Sequence, residues 1–458
     1  MAYSLPPEDL IIFSTKDSSG KIYIREQSGF YQRIRRALSW LLMALFIGIP
    51  FIQYNGEQAF RINAGQQTIE LFSIILFPQD FLIAALLFTL AAFVLFYVTR
   101  LYGRVWCGYT CPQTVWTLMF VWIERRIEGS HNQSRQLDNA RFSPNKLAKK
   151  LAKHLSWLVV SVVTALVFMS YFIPQSELYS TFFALQAAWQ VYAWVGFFAL
   201  CTYFNAGLIR EKMCLHMCPY SRFQSAMFNT ATKLVSYNAG RGETRGPRKR
   251  GSDKPANLGD CVDCNLCVQV CPVGIDIRDG MQYECINCGL CIDACDQTMS
   301  QFGYAKGLIN YAAEQSTGAN LSGHLAYGVT ILVTLVAILG WAMTRTNTEL
   351  TVYRERNALY RVNTDGAIEN TFTLNVINKT KTARQYQLQV EGMAYSQLNS
   401  DATLSLQAGE QRQFVVSINT MEKPATLFTP FKFVLLDIQN AERVTELSQF
   451  YSGNIVAR

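Results

Sequence analysis

The chain has 458 residues, 50% of them hydrophobic, 13% aromatic and only 16% charged, which excludes an ordinary soluble multidomain protein of this size. Its net charge of +8 requires no nucleic-acid partner. Basic loops held against a membrane account for it, and the cluster Arg245, Arg248, Lys249, Arg250 and Lys254 suits anionic lipid.

In chain order, residues 1–36 read as a polar, cytoplasmic N-terminal leader with no short apolar segment and small-residue cleavage site of the secretory kind, so the first apolar stretch is a retained anchor. Five apolar stretches follow, Leu38–Gln53, Phe81–Thr99, Leu155–Ile173, Trp189–Ile209 and Leu325–Met343. Each is close to the roughly 17–25 residues that cross a bilayer as a helix. Residues 37–237 hold the first four, and 325–343 the fifth. Between the second and third, Leu101–Glu128 mixes Arg with aromatic residues and reads as a re-entrant or interfacial segment.

Orientation follows from Lys and Arg, which stay on the cytoplasmic side. The leader carries Lys21, Arg25, Arg33, Arg35 and Arg36. The second connection carries Arg104, Arg125, Arg126, Arg141, Lys146, Lys149, Lys150 and Lys153. The connection Tyr54–Asp80 has only Arg61, and Pro174–Ala188 has no basic residue. The N-terminus and the basic fourth connection therefore belong inside, and the chain after Met343 outside.

Residues 238–259, rich in Gly, Arg, Lys and Pro, read as a basic linker. Then Cys261, Cys264, Cys267, Cys271 and Pro272 reproduce the spacing C-x2-C-x2-C-x3-C-P, and Cys285, Cys288, Cys291 and Cys295 repeat it without the proline, with Asp296 in its place. This is the bacterial ferredoxin run, in which the fourth cysteine ligates the other cluster. One [4Fe-4S] cluster is expected on Cys261, Cys264, Cys267 and Cys295, and a second on Cys285, Cys288, Cys291 and Cys271. A zinc knuckle would need only four ligands per metal and no doubled register. The domain is expected to span 260–324.

Two further pairs, Cys107–Cys111–Pro112 and Cys214–Cys218–Pro219, share the form C-x3-C-P and follow the second and fourth apolar stretches. Residues four apart share a helix face, so each motif can present two thiols, and the two together a four-thiol site. Such soft donors select Cu(I), zinc or an iron–sulfur cluster. His216, Met213 and Met217 are candidate additional ligands. Cys201, inside the fourth stretch, reads as a packing residue. The four histidines, His131, His154, His216 and His324, all fall in or beside cytoplasmic connections, which disfavours a haem relay across the bilayer.

From 350 to 458 the pattern alternates: Phe372, Leu374 and Val376; Tyr386, Leu388 and Val390; Phe414, Val416 and Ile418; Phe431, Phe433 and Leu435. Period-two alternation over about a hundred residues predicts an immunoglobulin-like β-sandwich, with turns such as Asn399–Ala402. It would lie outside the membrane, in the periplasm. The expected fold class is thus a polytopic α-helical membrane protein of five transmembrane helices, with a cytoplasmic bacterial-ferredoxin-like 2[4Fe-4S] domain and a C-terminal sandwich.

With these elements in order the sequence resembles the cytochrome c oxidase accessory protein family called FixG, CcoG or RdxA. The likeness rests on the stretch Trp106–Val115, the Cys214–Pro219 motif, the doubled ferredoxin run, the last span and the C-terminal domain. It implies a bacterial inner-membrane protein associated with assembly of the cbb3-type oxidase, an oxidoreductase reducing Cu(II) to Cu(I) at Cys107, Cys111, Cys214 and Cys218. Implied partners are oxidase assembly factors or copper chaperones, besides membrane lipid; the electron donor, the face from which copper arrives and a homo-oligomeric state stay open. The C-x3-C-P motifs also occur in quinol dehydrogenases of the nitrate-reductase accessory type. A quinol-oxidising conduit to a periplasmic reductase is therefore one alternative, and an assembly scaffold with structural or oxygen-sensing clusters is another.

Overall fold

A computed structural model describes residues 22–452 except 73, 252–253, 314–320, 357, 365, 394–395, 400–402 and 422–425. Lys21, most of the leader and most of the turn Asn399–Ala402 lie outside the described residues.

The first helix among the described residues is α1 (Phe30–Gly48). Strands β1 (Gln53–Tyr54), β2 (Glu57–Gln58), β3 (Phe60–Asn63), β4 (Thr68–Leu71) and β5 (Ile74–Leu76) follow. Helices α2 (Phe81–Tyr102), α3 (Val105–Tyr109), α4 (Pro112–Glu128), α5 (His131–Asn139), α6 (Pro144–Met169), α7 (Gln175–Phe183), α8 (Trp189–Thr202) and α9 (Pro219–Ala226) come next. Strand β6 (Leu234–Tyr237), helices α10 (Ala239–Gly242), α11 (Leu266–Gln269) and α12 (Leu290–Phe302), strand β7 (Ile309–Ala312) and helix α13 (Leu321–Thr344) complete this part. Among the described residues nine strands follow: β8 (Thr348–Arg354), β9 (Arg361–Val362), β10 (Ile368–Asn378), β11 (Arg384–Glu391), β12 (Ser396–Asn399), β13 (Thr403–Leu406), β14 (Gln411–Thr420), β15 (Phe428–Asp437) and β16 (Arg443–Tyr451).

Among the described residues five helical stretches are long and apolar enough to cross a membrane: Phe30–Phe51, Pro78–Tyr102, Pro144–Met169, Trp189–Ile209 and Gly323–Thr344. Their apolar side chains are largely uncovered by protein, with Phe88 on α2 76% exposed and Leu325 on α13 65%. Surface of that kind is costly in water and natural against acyl chains. The first helix begins earlier than the expected leader boundary of 36. Gln32, Arg35 and Ser39 are buried in its first turns, where the Asp293 carboxylate accepts the backbone N–H groups of Tyr31 at 3.2 Å and Gln32 at 2.9 Å, an anion at a helix N-terminus.

Two compact units emerge, one comprising the chain up to Phe51 with Leu86–Val336 and the other Ile52–Ala85 with Ala337–Arg458. In the first, β6 pairs antiparallel with β7, Leu234 opposite Ala312 and Tyr237 opposite Ile309, closing a cysteine-bearing domain whose edge thus lies before residue 260. The described residues of the stretch 238–259, expected as a linker, are packed against this domain. Arg241 Nε donates to Asp260 at 2.7 Å and Arg248 Nη2 to the Cys261 carbonyl at 3.1 Å. Its arginines are spent on carbonyls and carboxylates of the domain, which composition alone does not reveal.

The second unit is a sandwich of two sheets, ordered β12-β14-β10-β8 with β9 beside β10, and β13-β11-β15-β16. The alternating residues meet between them: Phe372, Leu374, Val376, Tyr386, Leu388, Val416, Ile418, Phe431, Phe433 and Leu435 form one buried core. Strands β3, β4 and β5 make a further sheet of this unit, and Ile75 and Phe77 pack against Ile377. A buried ion pair joins the same regions, Lys379 Nζ lying 2.9 Å from Asp80 Oδ1 and 2.8 Å from Glu349.

Candidate functional site: a string of thiols

Two small cavities collect the ferredoxin cysteines. One is lined by Cys261, Cys264, Cys267 and Cys295. The other is lined by Cys271, Cys285, Cys288 and Cys291, with Cys267 between the two. Left-handed residues shape both cysteine loops, Asp263 and Asn265 in the first and Asn287 and Gly289 in the second, so that each run turns into a short helix, α11 or α12. Walls of Val235, Ile277 and Ile309 on one side and Val273, Ile275 and Ile286 on the other keep water away. Burial pushes the thiols of Cys267, Cys271 and Cys295 up to about 12. Among the described residues no three Cys, His, Asp or Glu side chains converge closely enough for a single metal ion. Iron–sulfur cubanes hold their thiolates farther apart than a lone ion does, and an all-thiol, apolar-walled cavity is the donor set they take. The residues present therefore fit [4Fe-4S] groups.

The C-x3-C-P motifs sit directly beside this domain. Cys107 lies in α3, and Cys111 is the residue before α4, with Pro112 at its first position. In the second motif Cys214 lies in a π-helical turn, Met213–Met217, and Cys218 precedes α9, with Pro219 at its first position. Proline fits there because the first helical N–H has no partner in any case. Cys111, Cys214 and Cys218 lie near enough to Cys107 to oppose its ionisation, and like the ferredoxin thiols they do not converge on a single point. Burial pushes Cys107 to about 12, and its three neighbours add to it. Cys214 is raised to about 11 by burial, then by Cys111 and Cys218. Burial also raises Cys111, partly offset by the N–H groups of Gln113 and Thr114. Thiols that resist charging together are relieved by a bound cation, which takes the place of the protons. Of the weaker candidates, His216 is exposed, Met217 is 62% exposed and Met213 is half-buried. Cys201 lies in α8, outside this group. His154 and His324 hydrogen-bond Tyr203 and Tyr97, at 2.7 and 3.3 Å.

The motif and the second cysteine cavity share one core. Cys107 packs in a single cluster with Val270, Ile286 and Cys288, against which Cys271 and Cys285 also lie. Gly108 makes the approach possible, since a Cβ there would stand 2.7 Å from the Ile286 carbonyl oxygen and 3.0 Å from the Cys288 Cα. Three side chains hold the join. Arg35, buried in α1, donates from Nε to the Gly108 carbonyl at 2.9 Å. Tyr109 donates to the Cys288 carbonyl at 3.1 Å. Arg104 donates to the Tyr283 carbonyl at 2.7 Å and to the Ser221 carbonyl, linking both motifs to the cluster loop. Cys107 Sγ itself lies 3.2 Å from Oε1 of the buried Gln224. Neither Arg35 nor Arg104 stood out in the sequence as more than topology-setting charge; their adjacency to the Cys-Gly motif appears only in the fold.

Comparisons with known proteins identify the family. Residues 209–314 match a 4Fe-4S dicluster domain family, and residues 338–453 match the family described as the Ig-like fold at the C-terminus of FixG. The chain is 36% identical to the nitrogen fixation protein FixG of Rhizobium meliloti, over 81% of this chain and 79% of that one. It is 34% identical to protein RdxB of Cereibacter sphaeroides, over 86% and 87%, and 36% to protein RdxA of the same organism, over 81% and 82%. A crystal structure of a FixG-related protein from Vibrio parahaemolyticus matches 24% of this chain and 98% of its own at 31% identity, with a TM-score of 0.23. By its identity to FixG, RdxB and RdxA over most of its length, the chain belongs to the FixG/RdxA family of membrane iron–sulfur proteins.

Proposed function

We propose that this protein carries electrons through two [4Fe-4S] clusters to the four C-x3-C-P thiols and there reduces Cu(II) to Cu(I) for copper-centre assembly in a cbb3-type oxidase. The observation that carries the reading is the shared core of Cys107 with Cys271, Cys285 and Cys288. That packing supports the reading because a soft ligand at Cys107 would lie in van der Waals reach of a one-electron carrier's ligand shell. The partition is the crossed one, Cys261, Cys264, Cys267 and Cys295 against Cys271, Cys285, Cys288 and Cys291. The clusters supply single electrons when bound. The chain's own contribution is to seat copper. A Cu(II) ion displaces thiol protons on arrival, and one electron converts it to Cu(I), which favours two or three soft sulfur ligands. A pair such as Cys107 and Cys111 satisfies that low coordination number. The basic loops support a topology with the N-terminus and the iron–sulfur domain in the cytoplasm and the sandwich in the periplasm of a bacterial inner membrane, the sandwich serving to dock assembly factors or copper chaperones.

The test begins with anaerobically purified protein, for which two cubanes require about eight irons per chain. Cu(II) is added to the dithionite-reduced, desalted protein, and Cu(I) is read with a chelator. Cu(I) is expected from the parent and not from Cys107→Ala or Cys218→Ala with iron content intact. Equal Cu(I) from the variants would remove the thiols from the reaction.

A further inference from the structure

Two arginines stand at the join between the C-x3-C-P thiols and the second cysteine cavity, and both are buried, Arg35 at 4% and Arg104 at 3% exposure. Among the described residues neither meets a carboxylate. Arg35 donates to the carbonyl of Gly108, a residue pressed against Ile286 and Cys288. Arg104 donates to the carbonyls of Tyr283 and Ser221, and its Cζ lies 4.6 Å from the Tyr283 ring centroid. Carbonyls and a ring orient a guanidinium but carry no net charge. A buried cation without a counter-charge is strongly destabilising, so this corner of the fold is built to hold negative charge.

The groups near them that can carry such charge are thiols. Arg35 is close enough to Cys271 and Cys288 to interact with their charge, and Arg104 to Cys107, Cys214 and Cys285. Cys271, Cys285 and Cys288 line the second cavity. The buried carboxylate nearby, Asp293, is occupied by the N-terminal N–H groups of α1, and Glu284, next to Cys285, reaches solvent. The first cavity is furnished differently. There Arg278, the cation beside Cys267, is clamped by Asp276 at 2.5 Å and Asp263 at 2.6 Å. Arg248 at the Cys261 carbonyl is offset by Asp296, next to Cys295.

We propose that Arg35 and Arg104 are the counter-charges of a cluster on Cys271, Cys285, Cys288 and Cys291, and that they set its reduction potential above that of the other cluster. This ordering rests on the two-cluster reading above. A [4Fe-4S] group with four thiolates is anionic and gains one further negative charge with each electron, so a fixed cation nearby stabilises its reduced form more than its oxidised form. Apolar walls strengthen the effect by lowering the local dielectric. Around the first cavity, where the guanidinium is already neutralised by carboxylates, the preference is weaker. The site next to Cys107 is thus the one that reduces first, and the site that includes Cys264, the exposed member of the eight ferredoxin cysteines, reduces second. Arg35 and Arg104 act through the cluster and are positioning residues.

The experiment uses the anaerobic, full-length protein in detergent. Iron per chain is measured, and a potentiometric titration with dithionite is followed by electron paramagnetic resonance. The parent should hold about eight irons and show two separate one-electron waves. Arg35→Gln and Arg104→Gln should each lower the higher wave by about 59 mV or more, a tenfold loss of electron affinity for a one-electron couple, and leave the lower wave nearly unmoved. Arg35→Lys and Arg104→Lys keep the charge and should recover most of that shift, which a merely structural role would not produce. Arg278→Gln releases Asp263 and Asp276 and should depress the lower wave instead, so the order is read even where a buried-arginine variant fails to load iron. Clusters that titrate together in the parent overturn the proposal. So do Gln variants with full iron that move neither wave or only the lower one, Lys variants that shift as far as Gln, and an Arg278→Gln that moves the higher wave. About half the expected iron overturns the two-cluster reading and this ordering with it. Two waves that shift as expected while no Cu(I) forms leave the ordering standing and remove the copper reading.

Discussion

The iron–sulfur unit and the sandwich unit bury their interiors by different means. The sandwich closes on hydrocarbon alone: Phe372, Phe431 and Phe433 stack edge-to-face at centroid distances of 5.0–5.5 Å, flanked by Leu374, Val376 and Ile418. In the iron–sulfur unit the cores include the ligands themselves. Cys107 and Cys288 belong to one, Cys267 to a second and Cys261 to a third. A hydrocarbon core is complete once the chain folds, whereas a core lined with protonated thiols is complete only when those thiols hold something, so the stability of one unit is tied to metal and that of the other is not.

The largest expected effect separates the two. Removing iron from the full-length protein with a chelator under reducing conditions should open residues 234–312 to protease while the sandwich keeps its calorimetric transition. A joint collapse would show that the units are not independently stable. Cutting the other way, Phe372→Ala should cost the sandwich about 3–5 kcal/mol and leave iron per chain unchanged. Lys379→Ala strips the buried Asp80 of its cation and should lower the same transition by roughly 3 kcal/mol. Glu349 is left exposed enough to find water. In the iron–sulfur unit, Gly108→Ala forces a methyl against the Ile286 carbonyl. The strain is expected to cost about 1–3 kcal/mol, and transfer from dithionite-reduced clusters to Cu(II) should slow in stopped-flow measurements.

The smallest effect is a pH dependence. Burial raises the Glu128 carboxyl, but hydrogen bonds from Lys150, Lys153 and Ser134 outweigh it and hold the group below its ordinary value. A depressed carboxylate contributes stability that is complete above its unfolded value, about 4.3, and is lost as pH falls through the folded one. Glu128→Gln should therefore flatten the acid limb of a stability profile below about pH 4 and weaken the protein at neutral pH; an unaltered acid limb would remove this residue from the account.

The grouping of the ferredoxin-run cysteines around two cavities was legible because such runs declare themselves by spacing, and the C-x3-C-P pairs stood out by repetition. Sandwich strands such as β10 and β14 were legible for a similar reason: ten paired residues alternate long enough to be read. Strands β1–β5 were not. They run two to four residues each, too short for a period, and Asp80 meets Lys379 across 299 positions of sequence. The segment 238–259 was misread because arginines that bond to backbone carbonyls have the same composition as arginines in water. That Arg35 and Arg104 donate to carbonyls and meet no carboxylate among the described residues gave no signal at all, since a missing counter-charge is a property of the surroundings.

The pairing of β6 with β7 has a further consequence. Because Leu234 and Ala312 are opposite one another, the polypeptide leaves the helical scaffold and returns to it at almost the same point. The excursion between them is closed at its base by this pairing and fastened to the helices again at Tyr283, Cys288 and Asp293. A replacement domain spliced at β6 and β7 would have to reproduce the carbonyls of Tyr283 and Cys288 and the Asp293 carboxylate, so those contacts, and not the pairing alone, define what the helices accept.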